Sequence, residues 1–104
     1  MDATQANANV HAAQLRHDPM TPEDIERRIR TFMRATFFVM NDLPDGQSFL
    51  ESGVVDSTGM IELVEFAQQA FAIVIDDSEL VPENLDSLSR LTAFIVRKRL
   101  AAGA

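Results

Sequence analysis

The fold is decided by residues 53–64, which run Gly53-Val54-Val55-Asp56-Ser57-Thr58-Gly59-Met60-Ile61-Glu62-Leu63-Val64. The stretch reads as a loop that becomes a helix at Asp56-Ser57, because small polar side chains accept hydrogen bonds from the unpaired N–H groups of a helix start. An apolar stripe at three- and four-residue spacings follows at Met60, Leu63, Val64, Ala67 and Phe71. We therefore predict an amphipathic helix over residues 57–71, with the Ser57 hydroxyl exposed at its N-terminal end.

A helix is also predicted on the N-terminal side of this stretch. Thr21 can cap it, Pro22 suits the first helical position, and Glu23 and Asp24 suit the positive end of the helix dipole. Its apolar residues recur at helical spacing: Ile25, Ile29, Phe32, Met33, Thr36, Phe37 and Met40. Residues 41–55 then form a long connection, in which Phe49 and Leu50 are expected to pack onto the core.

Two further helical segments are predicted on the C-terminal side. Residues 73–75 (Ile-Val-Ile) form a buried connection, and a short helical piece is expected at about residues 79–85. Asp86 or Ser87 then caps a last helix, whose inward residues are expected to be Leu88, Leu91, Thr92, Ile95 and either Leu100 or Ala102. The basic residues 97–99 suit the negative end of this helix.

Length and composition predict one domain in a cytoplasmic protein. The chain has 104 residues, no cysteine and no apolar run of membrane-spanning length, and its start does not resemble a signal peptide. Residues 1–18 are rich in Ala, Asn, Gln and Thr, so we expect a mobile tail there and the folded domain over residues 19–104.

The negative charge is concentrated in the middle of the chain. Residues 41–89 hold eleven acids and no lysine or arginine, whereas the rest of the chain holds five acids and nine bases, and the net charge is −7. A field of one sign repels nucleic-acid phosphates and favours basic protein partners. The acidic stretch surrounds Ser57, which favours a docking surface over a merely solubilising one.

No catalytic or metal-binding pattern accompanies Ser57. The two histidines, His11 and His17, lie in or beside the tail, and both Gly-x-Ser-x-Gly and a phosphate-binding glycine loop are missing. The acidic run Asp76-Asp77-Ser78-Glu79 lacks the alternating ligands and the glycine of an EF-hand. We therefore expect neither a Ser/His/Asp hydrolase nor a metal site.

The sequence resembles the acyl carrier proteins. The resemblance rests on Asp56-Ser57 preceded by Gly53-Val54-Val55, on residues 71–75 after the second helix, and on residues 82–88 at the third helix and the entry to the fourth. It covers most of the chain, from Thr21 to Leu100. It implies an all-α four-helix bundle of acyl-carrier type, with a long loop between helices 1 and 2 and a short third helix.

The resemblance also implies a function, that of a carrier and not of an enzyme. Ser57 would carry a 4′-phosphopantetheine arm, transferred from CoA by a phosphopantetheinyl transferase, and the arm would hold acyl or aminoacyl groups as thioesters. Asp56 would help the transferase to place its Mg²⁺, and a partner-facing surface would include Thr58, Ile61, Glu62 and Glu65. The partners would be the transferase, an acyl- or aminoacyl-loading ligase or transferase, and downstream synthase enzymes. No nucleic acid or membrane is expected among the partners, and the carrier would be a monomer.

Several residues depart from the pattern of fatty-acid carriers. Thr58 stands where a large apolar residue is usual, and Gln68 and Gln69 replace acids, which indicates a specialised carrier. Gly59 is similar to the glycine of free-standing D-alanyl carriers, and it indicates either close approach of a partner or arm, or a tolerated glycine. The alternative function is a small acidic helical interaction domain without a prosthetic group.

Overall fold

The computed structural model describes residues 20–39 and 43–103. These residues form four α-helices and no strand: α1 (Pro22–Phe37), α2 (Ser57–Phe71), α3 (Pro82–Leu85) and α4 (Leu88–Ala101), with a 3₁₀ turn at Asp77–Glu79. The all-α class is confirmed for this part of the chain, and none of its helices is long and apolar enough to cross a bilayer. The predicted tail and Met40 lie outside the described residues.

α1 begins where its capping pattern predicts. The Thr21 hydroxyl accepts a hydrogen bond from the Asp24 N–H at 3.1 Å, and the Asp24 carboxylate accepts one from the Thr21 N–H at 3.0 Å. The Thr21 N–H, and then Arg27, hold the pKa of Asp24 below its usual value. The buried face of the helix consists of Ile25, Ile29 and Met33.

α4 packs against the other three helices. Ser87 caps it by accepting a hydrogen bond from the Arg90 N–H at 3.1 Å, and its buried residues are Leu88, Leu91, Thr92, Phe94 and Ile95. The prediction that Leu100 or Ala102 faces inward is wrong, because both are exposed, Leu100 at 68%. Phe94 is buried instead.

Polar contacts replace apolar packing in the last turn of α4. Arg99 donates a hydrogen bond to the Phe71 carbonyl at 3.1 Å, which places a cation at the C-terminal end of α2. Lys98 forms a 2.9 Å ion pair with Glu79, which belongs to the 3₁₀ turn. The Asp76 N–H and then the Lys98 ammonium hold the pKa of Glu79 below its usual value. Because Lys98 and Arg99 have these polar partners, the buried apolar face of α4 ends before Leu100.

The helical piece predicted over residues 79–85 is divided in two. The 3₁₀ turn ends at Glu79, and α3 begins at Pro82. Val81 lies between them with extended dihedral angles, φ −127° and ψ 152°. A residue that precedes proline is biased away from helical angles by the proline ring, so the break falls at Val81.

The connections between helices follow the prediction in part. The described residues between α1 and α2, 38–39 and 43–56, contain neither helix nor strand, as expected of a long connection. In the segment after α2, Ile73 and Ile75 are buried, but Val74 between them is 72% exposed. The buried connection is therefore confirmed at two of its three residues.

Gly59 lies where α1 approaches the first turn of α2. A Cβ at this position would stand 2.7 Å from Cε1 of Phe37 and 3.1 Å from Cγ1 of Val55, closer than carbon atoms pack. The residue is buried, and this close packing is a structural reason for the glycine that the sequence did not indicate. The glycine allows α1, the loop and α2 to meet directly beside Ser57.

Candidate functional site

Ser57 is the first residue of α2, and the side chain that caps this helix belongs to Asp56. Oδ1 of Asp56 accepts a hydrogen bond from the Gly59 N–H at 2.7 Å, and the Asp56 carbonyl accepts one from the Met60 N–H at 2.9 Å. Ser57 is exposed, and none of the described residues forms a hydrogen bond with its hydroxyl. The hydroxyl is thus available to an external reagent at the positive end of the helix dipole.

An apolar groove of about 260 Å³ opens beside Ser57. Its inner part includes Leu85, which is buried, and its outer part includes the exposed side chains of Ile61 and Leu80. The complete lining is Leu50, Ser57, Met60, Ile61, Val64, Glu65, Leu80 and Leu85. Grooves with a mostly apolar lining and a few polar groups are typical of small-ligand sites.

Three separate segments supply the walls of this groove. α2 forms one wall, the loop before α2 contributes Leu50, and the 3₁₀ turn with α3 contributes Leu80 and Leu85. The third segment is held to α4 by the Glu79–Lys98 ion pair, and by Arg97, which donates a hydrogen bond to the side-chain oxygen of Asn84 at 3.2 Å. Packing against α4 therefore sets the distance between α3 and α2.

The residues predicted to bind partner proteins lie on two sides of α2. Ile61 and Glu65 line the groove with Ser57, whereas Glu62 does not. Glu62 and Glu65 line a second, shallower groove of about 370 Å³ between α1 and α2, together with Phe32, Thr36, Phe66 and Gln69. Thr58 is exposed and lines neither groove. Glu65 thus lies between the two surfaces.

The acids of α2 form no ion pair with Arg27 or Arg30 of α1. Among the described residues, Glu62 and Glu65 form no ion pair. Arg27 pairs with Asp24, and Arg30 pairs with Glu26 at 3.0 Å and with Asp45 at 2.8 Å. The exposed face of α2 therefore keeps its negative charge beside the Ser57 site.

Sequence reasoning missed part of the groove. Leu50 was expected to pack onto the core with Phe49, but it is 43% exposed and lines the groove, while Phe49 is buried. Leu80 and Leu85 come from a segment that carries no pattern linking it to Ser57. Only the helix packing brings these side chains together, so no signal in the sequence could have identified them as groove residues.

Gln68 has a structural contact that the sequence did not reveal. Its side-chain oxygen accepts a hydrogen bond from the Ile75 N–H at 2.9 Å, and its carbonyl accepts one from the Ile73 N–H at 3.2 Å. The residue thus fixes the connection that leaves α2. Gln69, by contrast, is exposed at the second groove.

No metal centre is formed by the residues that the structure describes. No group of three or more His, Cys, Asp or Glu side chains is arranged there to hold an ion. His11 and His17 lie outside the described residues. The acidic run at residues 76–79 instead closes the 3₁₀ turn, with the Asp76 N–H donating to the Glu79 carboxylate at 2.9 Å.

The site can be summarised chemically as a free primary hydroxyl, an apolar groove and an uncompensated acidic surface. This combination suits covalent attachment of a group at Ser57 and docking of basic proteins nearby. In comparisons with known proteins, the chain matches no family model and no curated protein.

Proposed function

We propose that this chain is an acyl carrier protein, which holds acyl or aminoacyl groups as thioesters on a 4′-phosphopantetheine arm attached to Ser57. One observation carries the proposal: the Ser57 hydroxyl is exposed, lacks a hydrogen-bond partner among the described residues and opens onto an apolar groove. The order of helices supports it, since a long loop leads to Ser57 and a short third helix faces the second across the groove.

The residues around Ser57 fit such an arm. Ser57 Oγ would form the phosphodiester, whose negative charge is favoured at a helix N-terminus. The arm supplies a terminal thiol that can hold an acyl group. The groove residues Met60, Val64 and Leu85 offer an apolar group a place away from water. Asp56 is exposed and would be within reach of the metal that a transferase brings.

The proposed partners are proteins that visit the acidic side of α2. They comprise a phosphopantetheinyl transferase, a ligase or transferase that loads an acyl or aminoacyl group, and the synthase enzymes that use it. A tethered group reaches each of these at a high effective concentration. Thr58 and Gln69 are exposed, so they can distinguish a specialised carrier from a general fatty-acid carrier at the docking surface.

The modification itself tests the proposal. Purified apo protein is incubated with CoA, Mg²⁺ and a broad-specificity phosphopantetheinyl transferase, and its intact mass is measured. We expect the addition of one phosphopantetheine, which peptide fragmentation locates on Ser57. If the folded protein remains unmodified with several active transferases, the carrier proposal fails, and an acidic interaction domain without a prosthetic group takes its place. A phosphopantetheine located on another residue would refute the assignment of the site.

Reversing the charge of α2 should weaken docking of the transferase. We expect the Glu62→Lys/Glu65→Lys variant to lose about tenfold in kcat/KM, because each exposed ion pair contributes up to about 1 kcal/mol. Added salt should slow the wild-type reaction, since exposed charges are screened over about 10 Å at 0.1 M.

The matched control is Glu51→Lys/Glu83→Lys, which changes the net charge equally at two exposed acids outside α2. It should retain most of the rate. An equal loss in both variants would assign the effect to net charge alone, and an unchanged rate in the α2 variant would remove Glu62 and Glu65 from the docking surface.

A further inference from the structure

The carboxylate of Asp86 connects the start of α4 to the loop that leads to Ser57. Asp86 is only 6% exposed, and it lies between α3 and α4. Its Oδ1 accepts a hydrogen bond from the Leu50 N–H at 2.9 Å, and its Oδ2 accepts one from the Ser48 hydroxyl. The Asp86 carbonyl accepts a third from the Phe49 N–H at 3.1 Å. One residue thus binds three consecutive loop residues.

These hydrogen bonds continue from the loop to the start of α2. The Phe49 carbonyl accepts hydrogen bonds from the Val55 N–H at 3.1 Å and from the Ser52 hydroxyl at 3.2 Å. Val55 is buried, and the next residue, Asp56, caps α2 and precedes Ser57. A contiguous series of contacts therefore runs from Asp86 through Phe49 and Val55 to the modification site.

We infer that Asp86 is a positioning residue, which holds the loop so that Leu50 forms its wall of the groove and Ser57 is presented in one orientation. The sequence pattern assigned this residue at most a role as a helix cap, and the capping is done by Ser87. A buried carboxylate that accepts two hydrogen bonds is expensive to remove, because its donors are left without partners. Losing it should allow the loop to sample several conformations, of which only some are competent to react.

Amide hydrogen exchange measured by NMR tests the positioning without any prosthetic group. In Asp86→Ala, the amides of Leu50 and Val55 should exchange about tenfold faster than in the wild type, whereas those of Ile29 and Ile95 in α1 and α4 change much less. Asp86→Asn keeps an acceptor for the Leu50 N–H and should restore protection. Ser48→Ala removes one donor to Asp86, together with the acceptor of the Glu51 N–H, and gives a milder variant should Asp86→Ala fail to fold. Equal acceleration at all amides, or none, would overturn the inference.

The kinetics of the transferase supply a second readout, which rests on the proposed function. Asp86→Ala should raise the KM several-fold and leave kcat nearly unchanged, because a partly populated competent state lowers apparent affinity. Glu83→Ala, at an exposed acid of α3, is the control and should behave as wild type. Faster loop exchange with an unchanged KM would refute the link to Ser57. If the wild type accepts no arm, the proposed function fails, and the exchange result alone decides whether Asp86 holds the loop.

Discussion

Ser57→Ala should accept no phosphopantetheine, whereas Thr58→Ala should be modified at close to the wild-type rate. The two hydroxyls are adjacent and both exposed, so this pair of variants shows which of them accepts the arm. Ser57 directly follows the capping residue Asp56 and lines the apolar groove, while Thr58 lines neither groove. A primary hydroxyl is also less hindered than the β-branched hydroxyl of threonine.

The structure makes this experiment easy to interpret. The capping hydrogen bond of α2 is accepted by Asp56, so removal of the Ser57 hydroxyl leaves it in place. Each variant should retain its free energy of unfolding within about 0.5 kcal/mol, as exposed substitutions usually do. Intact mass after reaction with CoA and a transferase provides the measurement, and urea unfolding provides the control. A folded Ser57→Ala that still gains the arm would move the attachment site elsewhere.

Phe49→Ala should destabilise the fold by about 3–5 kcal/mol, the range measured for truncating a buried phenylalanine. Its side chain is 1% exposed and belongs to the core, although the residue lies in the loop before α2. The neighbouring Leu50 is 43% exposed, so Leu50→Ala should cost less than about 1 kcal/mol. Urea unfolding of both variants measures the difference.

The two neighbours should also differ in their effect on the groove. Leu50→Ala removes one wall of the groove beside Ser57 and should leave the core intact, so it should alter the shielding of an apolar group held there. Phe49→Ala should act chiefly by destabilising the whole fold. Similar losses of stability in both variants would contradict the division of the loop into a core residue and a groove residue.

Helices with local sequence signals could be predicted without the structure. The ends of α2 at Ser57 and Phe71 were predicted as observed, and so was the start of α1 behind Thr21. A capping side chain bonds an N–H three residues away, and an apolar stripe repeats within one helix, so each signal is complete within a short stretch. The exposed position of Ser57 follows from the same local pattern.

The surroundings of Ser57 depend on contacts between distant parts of the chain. Gly59 packs closely against Phe37 of another helix, and Asp86 reaches Leu50 over 36 positions of sequence. The same holds for Leu80 and Leu85, which reach the groove through packing of α3 on α4. Such contacts depend on how the helices are placed in space, and a single sequence carries no periodic or capping signal for a partner so far along the chain. The positions of α1, α2 and α4 could therefore be predicted from local sequence, whereas the groove and its supports arose from the packing of helices onto α4.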